Sequence, residues 1–166
     1  MNRVVVLGAG GAGKTELANG LAARTGLPVV HLDRLFWNPG WQQGPREDFR
    51  AAVDEAVGGE RWIIDGNFLS AGDARFERAD TAIFLDVPRT TCIARVLRRA
   101  LRDRGSRRPD LPDGCSEGFD WNFLKWIWNF GRDDRPRILQ TLARFRGDVV
   151  QLRSAAEVQS YLTSVT

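Results

Sequence analysis

Hydrophobic positions along the chain form short apolar runs, separated by stretches in which apolar residues recur three and four positions apart. The apolar runs predict buried parallel strands, at about residues 3–7, 28–32, 61–65, 81–86 and 148–152. The helical spacing predicts helices, at about residues 14–24, 46–57, 69–77, 89–102, 121–128, 137–146 and 155–162. This alternation predicts an α/β fold with a doubly wound, five-stranded parallel sheet and helices on both faces.

Two segments break the pattern. Residues 35–45 are rich in Trp, Pro and Gly, and we expect no regular element there. Residues 103–118 carry Gly, Ser, Pro and alternating charge, which is typical of a loop. Neither segment resembles an interdomain linker and the chain has no internal repeat, so residues 1–166 are expected to form one domain.

Residues 8–15, here called the phosphate loop, read Gly-Ala-Gly-Gly-Ala-Gly-Lys-Thr directly after the first predicted strand. Glycines let backbone amides point into one concavity, a lysine adds positive charge, and the threonine hydroxyl can bind Mg²⁺. A helix that begins near Lys14 adds its positive N-terminal end to the same anion site. The pattern predicts that a nucleoside triphosphate is bound by Gly8, Gly10, Gly11, Ala12, Gly13, Lys14, Thr15 and Glu16.

The same loop also satisfies a rival motif. Gly8, Gly10 and Gly13 fit the dinucleotide fingerprint, and Asp33 lies about where that motif places a ribose-binding acid. A dinucleotide site has no use for a Lys-Thr pair at the start of its helix. The pair therefore favours a triphosphate over a dinucleotide.

Acidic residues follow the predicted strands at the edge where the phosphate loop lies. Asp65 is expected to hold Mg²⁺ together with Thr15, and the alternative is an aspartate that only caps the next turn. Gly66 follows Asp65 where motor ATPases carry a water-activating glutamate, and no Asn-Lys-x-Asp guanine-binding motif occurs. A transferase is therefore favoured over a hydrolase or a GTP switch.

Further side chains are candidates for catalysis. Asp33 could orient or deprotonate an acceptor hydroxyl, or cap a local turn. Arg95 and Arg99 share a helix face, and Arg132 and Arg135 lie beyond the next loop, so these arginines could neutralise transferred phosphate. Their alternative is a solvated basic face. His31, the single histidine, is interpreted as a core residue.

Composition narrows the class of protein. The 166 residues carry a net charge of only +3, so the sequence pI near 9.4 does not by itself indicate nucleic acid. Lys14 and Lys125 are the only lysines. Cys92 and Cys115 are too few for a metal knuckle or a disulfide framework. No membrane-spanning run or signal peptide pattern is present, so we expect a cytoplasmic protein, monomeric or dimeric, without a membrane partner.

With these residues, the chain resembles the nucleoside monophosphate kinases of the adenylate kinase group. The likeness covers the phosphate loop, Ile64-Asp65-Gly66, and Asp86-Val87-Pro88 followed by Arg95 and Arg99. It is also similar, over its whole length, to the bacterial topology modulation (FlaR-like) proteins. Their pattern appears as His31-Leu32-Asp33, Phe36-Trp37, Pro39-Gly40-Trp41, Trp62-Ile63-Ile64-Asp65-Gly66-Asn67 and Arg135-Pro136-Arg137.

The resemblance implies a three-layer P-loop NTPase fold of the nucleoside monophosphate kinase type, which uses ATP with Mg²⁺. It also implies an Arg-rich lid at about 103–131 and an acceptor-binding segment at about 33–58. The chain departs from adenylate kinases after Asp65-Gly66. Those enzymes carry a phosphate-binding arginine in the segment that follows, and this chain has Asn67 and Phe68 there instead. Arg34 or Arg46 could substitute.

The sequence therefore predicts a phosphotransferase that moves the γ-phosphate of ATP to a small acceptor such as a nucleotide or nucleoside. The alternative is a nucleotide-dependent regulator that influences DNA topology without robust kinase activity, with the arginine helix as its nucleic-acid surface.

Overall fold

The computed structural model describes residues 1–69, 74–102 and 120–165. Its strands are β1 (Arg3–Gly8), β2 (Val29–His31), β3 (Trp37–Asn38), β4 (Gln42–Gln43), β5 (Trp62–Asp65), β6 (Thr81–Leu85) and β7 (Asp148–Leu152). Its helices are α1 (Lys14–Thr25), α2 (Leu32–Phe36), α3 (Arg46–Gly58), α4 (Ala74–Arg78), α5 (Arg89–Arg102), α6 (Trp121–Asp133), α7 (Arg135–Ala143) and α8 (Ala155–Ser164).

Five of the strands form one parallel sheet in the order β2-β5-β1-β6-β7. The central strand β1 is apolar and fully buried from Val4 to Leu7, because helices cover both faces of the sheet. The predicted α/β class and five-stranded parallel sheet are confirmed. All five strands end at one edge, which brings Gly8, His31, Asp65 and Leu85 together.

The helices follow from the order of the strands. The connection from β1 to β2 runs towards the β2 edge of the sheet. The connections from β2 to β5, from β5 to β6 and from β6 to β7 all run towards the β7 edge. Right-handed crossovers then place α1 on one face and α3 and α4 on the other. Leu17, Ala18 and Leu21 form the buried stripe of α1, which packs against β5 and against α8.

Three local expectations change. Residues 35–45 are not irregular: they contain the end of α2 and an antiparallel hairpin of β3 and β4, with Gly40 at φ 77° in its turn. The helix expected at 69–77 runs from Ala74 to Arg78, and residues 70–73 lie outside the described residues. Of the lid predicted at about 103–131, residues 103–119 lie outside the described residues and the remainder forms α6.

Within residues 1–69, 74–102 and 120–165, no helix combines the length and apolar character needed to cross a membrane.

A buried arginine fixes the segment that follows β5. Arg75 of α4 is 0% exposed, and its Nη1 atom donates to the Gly66 carbonyl at 2.9 Å. Its Nη2 atom donates to the carbonyls of Asn67 at 2.7 Å and Phe68 at 3.0 Å. Burial lowers the pKa of Arg75 to about 10. Because buried carbonyls need donors, this side chain stabilises a turn in which Phe68 has a φ of 28°.

We expect Arg75→Leu to lower the free energy of unfolding by about 3 kcal/mol or more, because three carbonyls lose their donor. The free energy of unfolding of Arg75→Lys should lie between those of the wild-type protein and Arg75→Leu, since an ammonium group cannot reach all three oxygens with fixed geometry. Urea unfolding at unchanged m-value measures both. A Leu variant within about 0.5 kcal/mol of the wild-type protein would contradict this role for Arg75.

Candidate functional site

The phosphate loop joins β1 to α1 at the carboxyl edge of the sheet. Three of its glycines have positive φ angles, which other residues rarely adopt: 152° at Gly8, 78° at Gly11 and 99° at Gly13. Lys14 Nζ donates to the carbonyls of Gly8 at 2.9 Å and Ala9 at 3.1 Å. The lysine is therefore held over the loop by two neutral acceptors, which an incoming phosphate could replace.

Neighbouring elements pack closely on the loop and explain two further glycines. A Cβ at Gly10 would overlap the ring of Phe123 in α6, whose Cε2 atom would lie 2.9 Å away. A Cβ at Gly11 would overlap the Cys92 carbonyl oxygen of α5. Phe123 and Trp126 stack with ring centroids 5.6 Å apart. The part of the predicted lid that lies in α6 thus contacts the phosphate loop directly.

Asn67 anchors the first residue of the loop. Gly8 donates its backbone N–H to Asn67 Oδ1, and Asn67 Nδ2 donates to the Gly8 carbonyl, both at 2.9 Å. The Gly66 N–H donates to the Val6 carbonyl, which is the last backbone bond between β1 and the segment after β5. The reciprocal pair of Asn67 and Gly8 continues this hydrogen-bond ladder by one step. A side-chain amide can do so because it carries one donor and one acceptor, as a peptide group does.

A carboxylate and a hydroxyl meet beside the loop. Thr15 Oγ1 donates to Asp65 Oδ2 at 3.0 Å, and His31 Nδ1 lies 3.0 Å from the same oxygen. Asp65 is 5% exposed, and its Oδ1 atom is buried with no hydrogen-bond partner among the described residues. A hydroxyl beside an uncommitted carboxylate oxygen fits the hard oxygen ligands that Mg²⁺ prefers. These residues therefore fit the predicted magnesium site.

The four predicted arginines lie in different environments. Arg95 Nη1 donates to the carbonyls of Ala12 at 3.1 Å and Gly11 at 3.4 Å, so it reaches the loop. Arg99 is half-buried one turn further along α5. Arg135 makes two bonds of 2.8 Å to Asp86, and Arg132 pairs with the exposed Asp133. Of Arg95, Arg132 and Arg135, it is therefore Arg95 that bonds the phosphate loop itself.

Glu16 lies exposed in the first turn of α1, beside Gly13.

The predicted acceptor side is built on aromatic side chains. Asp33 is half-buried in α2, two residues beyond the end of β2. Phe36 of the same helix packs against Phe49 and Phe68, with ring centroids 5.2 Å and 4.6 Å apart. Trp41, 45% exposed with a φ of 59°, sits edge-on to Trp37. Arg34 and Arg46, the suggested substitutes for a missing arginine, lie in or at the start of α2 and α3.

A cavity of about 320 Å³ opens beside the loop. It extends from Ala9 to the exit of β6 and the end of α6, and Asp86, Arg89, Phe130 and Arg135 are among its lining residues. Gln151 of β7 also donates to Asp86, at 2.7 Å. Asp86 therefore holds the cavity wall together, in line with the structural role that its strand-exit position suggests.

Two residues at the site were not predicted to belong to it. His31 was interpreted as a core residue, yet it contacts Asp65; its position at the end of β2 was the available signal. Asn67 was noted only as a departure from adenylate kinases. Asparagine is a common turn residue after a strand, and nothing in the sequence pairs Asn67 with Gly8.

The strand order, the phosphate loop and the helices on both faces define a P-loop kinase fold. Shikimate kinase from Acinetobacter baumannii is similar in structure, with a TM-score of 0.66 and 13% identity over 99% of this chain and 90% of that one. A sugar kinase from Janibacter sp. HTCC2649 aligns at 21% identity and TM-score 0.49, over 98% of this chain and 93% of that one. The likeness to shikimate kinase confirms the fold.

The family is shown by sequence. The model of the isopentenyl transferase family matches residues 1–91, which include the phosphate loop, Asp33 and Asp65. The chain belongs to the isopentenyl transferase family. No curated protein matches the chain in sequence.

The Asp86–Arg135 pair makes stability depend on pH. The Arg135 guanidinium holds the pKa of Asp86 below its usual value. Such a carboxylate contributes stability above the unfolded-state pKa of about 4 and loses it as the pH falls through the lower folded-state pKa. We expect Arg135→Gln to cost about 1 kcal/mol at pH 7, allowing for the partial exposure of Arg135, and almost nothing near pH 2.

Denaturant unfolding from pH 7 to pH 2 measures this difference. Arg132→Gln is the matched control, because its partner Asp133 is exposed and its removal should change stability little at any pH. A deficit of Arg135→Gln that stayed constant across the range would contradict the assignment.

The contact between the loop and α6 predicts a coupling between two substitutions. Gly10→Ala should cost about 1–3 kcal/mol, because its Cβ displaces the Phe123 ring. The same change should cost much less when Phe123→Ala is already present. Gly13→Ala is the control: its cost comes from a φ of 99° and should not depend on Phe123. Additive costs for Gly10 and Phe123 in a double-mutant cycle would refute the contact.

Proposed function

We propose that the protein is an ATP-dependent phosphotransferase that moves the γ-phosphate of Mg-ATP to a small acceptor. The observation that carries the proposal is the contact between Thr15 and Asp65 beside a lysine-bearing phosphate loop. In phosphoryl transfer the protein mainly positions groups and neutralises charge, and these side chains suit both tasks. An acceptor hydroxyl would attack phosphorus, and ADP would leave.

The donor phosphates would lie on amides of the phosphate loop at the N-terminus of α1, other than the Gly8 amide, which donates to Asn67. Lys14 would exchange its bonds to the Gly8 and Ala9 carbonyls for phosphate oxygens. Thr15 and Asp65 would hold Mg²⁺, which supplies charge neutralisation between the phosphates. The unpartnered Oδ1 atom of Asp65 supports this assignment.

Arginines would neutralise the transferred group. Arg95 is the best placed, because it already bonds two loop carbonyls. Arg99, Arg132 and Arg135 remain candidates; Arg132 and Arg135 would first have to leave Asp133 and Asp86. Asp33 would orient the acceptor hydroxyl or take its proton. The acceptor, a nucleotide or nucleoside in our proposal, would lie against the segment at about 33–58.

A second candidate is transfer of an isopentenyl group, which the family match over residues 1–91 favours. The phosphate loop would then hold the diphosphate of an activated isopentenyl donor, and Thr15 and Asp65 would hold the same metal. The apolar rings of Phe36, Phe49 and Phe68 would offer the donor's hydrocarbon an apolar neighbourhood. The two candidates share the anion site and differ in which bond breaks.

The regulator of DNA topology remains the weaker alternative. Its proposed surface is the arginine face of α5, yet Arg95 on that helix is directed at the phosphate loop rather than at an open surface.

Lys14→Ala should abolish stabilisation by ATP with Mg²⁺. At a hundredfold excess over Kd, a ligand adds about 2.7 kcal/mol, which raises Tm by roughly 5–10 °C for a chain of this size. The only other lysine, Lys125, lies exposed on α6, so Lys125→Ala should keep the full shift in Tm. Thermal unfolding with and without Mg-ATP measures both.

Three results decide between the candidates. A shift with Mg-ATP that survives in Lys14→Ala would contradict the site assignment. A shift with the Mg²⁺ complex of dimethylallyl diphosphate, the allylic isomer whose C1–oxygen bond can break with release of diphosphate, and none with Mg-ATP would replace kinase by isopentenyl transfer. Stabilisation by Mg-ATP together with ADP release on adding a nucleoside or nucleotide would support the phosphotransferase.

A further inference from the structure

The single histidine of the chain lies at the candidate metal site. His31 is the last residue of β2 and stands in register with Asp65, the last residue of β5. Its Nδ1 atom lies 3.0 Å from Asp65 Oδ2, and the two side chains are only 15% and 5% exposed. A pair this buried and this short is a directed hydrogen bond rather than a surface contact.

The direction of the bond follows from chemistry. An ionised carboxylate oxygen only accepts, so the His31 Nδ1 atom carries the hydrogen in this contact. Thr15 Oγ1 donates to the same Oδ2 atom at 3.0 Å. One carboxylate oxygen therefore takes two donors, while Oδ1, also buried, has no partner among the described residues.

This asymmetry constrains the carboxylate. The terminal torsion of an aspartate is broad, so its two oxygens can exchange places when nothing distinguishes them. Two donors on Oδ2 distinguish them, and they come from different elements, α1 and β2. If Thr15 were the only donor, its hydroxyl could follow the carboxylate as it turned, whereas a second donor from β2 opposes that turn.

We propose that His31 is a positioning residue for the magnesium site: its bond to Oδ2 fixes the orientation of the Asp65 carboxylate beside Thr15. The inference rests on the proposed function, since it assigns His31 a role in holding Mg²⁺ with a bound nucleotide. His31 acts through Asp65 and touches neither metal nor phosphate. Partners that orient a ligand in this way typically change metal affinity 10–100-fold when removed.

The test compares three substitutions at one position. The amide of His31→Asn can place a donor where Nδ1 stands, the longer His31→Gln places its amide beyond it, and His31→Leu has no donor. The measured quantity is the ratio of ADP dissociation constants without and with Mg²⁺, from calorimetry. We expect this ratio to fall at least roughly tenfold in the Leu and Gln variants and to return towards the wild-type value in the Asn variant.

The Mg²⁺-free affinity for ADP should stay unchanged in all three, because His31 acts only through Asp65. A merely structural role would lower stability in urea and leave the Mg²⁺ ratio unchanged, and that result overturns the inference. If the Leu variant does not fold, the Gln and Asn variants give the same comparison with polar side chains.

The experiment separates this inference from the function on which it rests. If wild-type protein binds ADP more tightly with Mg²⁺ and the Gln variant keeps that gain, the proposed function stands and the role of His31 is wrong. If wild-type protein binds no ADP with or without Mg²⁺, the nucleotide site itself is refuted, and the inference with it.

Discussion

The site depends on how the carboxyl end of β1 is held. Gly8 accepts hydrogen bonds from Lys14 and Asn67 at its carbonyl and donates its N–H to Asn67. A Cβ there would lie 2.9 Å from the Leu85 carbonyl oxygen, so the strand can enter the loop only as glycine. Asn67 is in turn fixed through its own carbonyl by the buried Arg75. The start of the phosphate loop is therefore tied to β5 through Asn67 and packed against β6 at Leu85.

Local patterns were sufficient for the sheet and for the donor half of the site. Short apolar runs bounded by turn residues indicate strands, and a Gly-rich turn before Lys-Thr has few other uses. The hairpin of Trp37–Asn38 and Gln42–Gln43 could not be predicted, because Pro39 and Gly40 read as a break in structure although they form its turn. The contact of His31 with Asp65 was also beyond the sequence. It follows from strand register, and register is set by tertiary packing.

The arginines show the same limit from another side. Residue type and spacing made Arg95, Arg99, Arg132 and Arg135 equivalent candidates, since a guanidinium suits phosphate and carboxylate equally well. What separates them is the nearest acceptor: loop carbonyls for Arg95, the carboxylate of Asp86 for Arg135, and an exposed carboxylate for Arg132. An arginine already bonded to a carboxylate gains less from a phosphate, because it must give up a charge-assisted bond to reach it. The order of candidates thus comes from the partners and not from the sequence.

The two halves of the candidate site are held by different forces. The donor half is fixed by hydrogen bonds among backbone, Lys14, Thr15, Asp65 and Asn67. Such bonds are directional, so the anion site tolerates little change. The described acceptor half rests on ring contacts of Phe36, Phe49 and Phe68, with strained φ values at Trp41 and Phe68. Aromatic packing is less directional and accepts other apolar shapes of similar volume. The hydrogen-bonded half of the candidate site is therefore the more constrained of the two, and the ring-lined half can accept more substitutions.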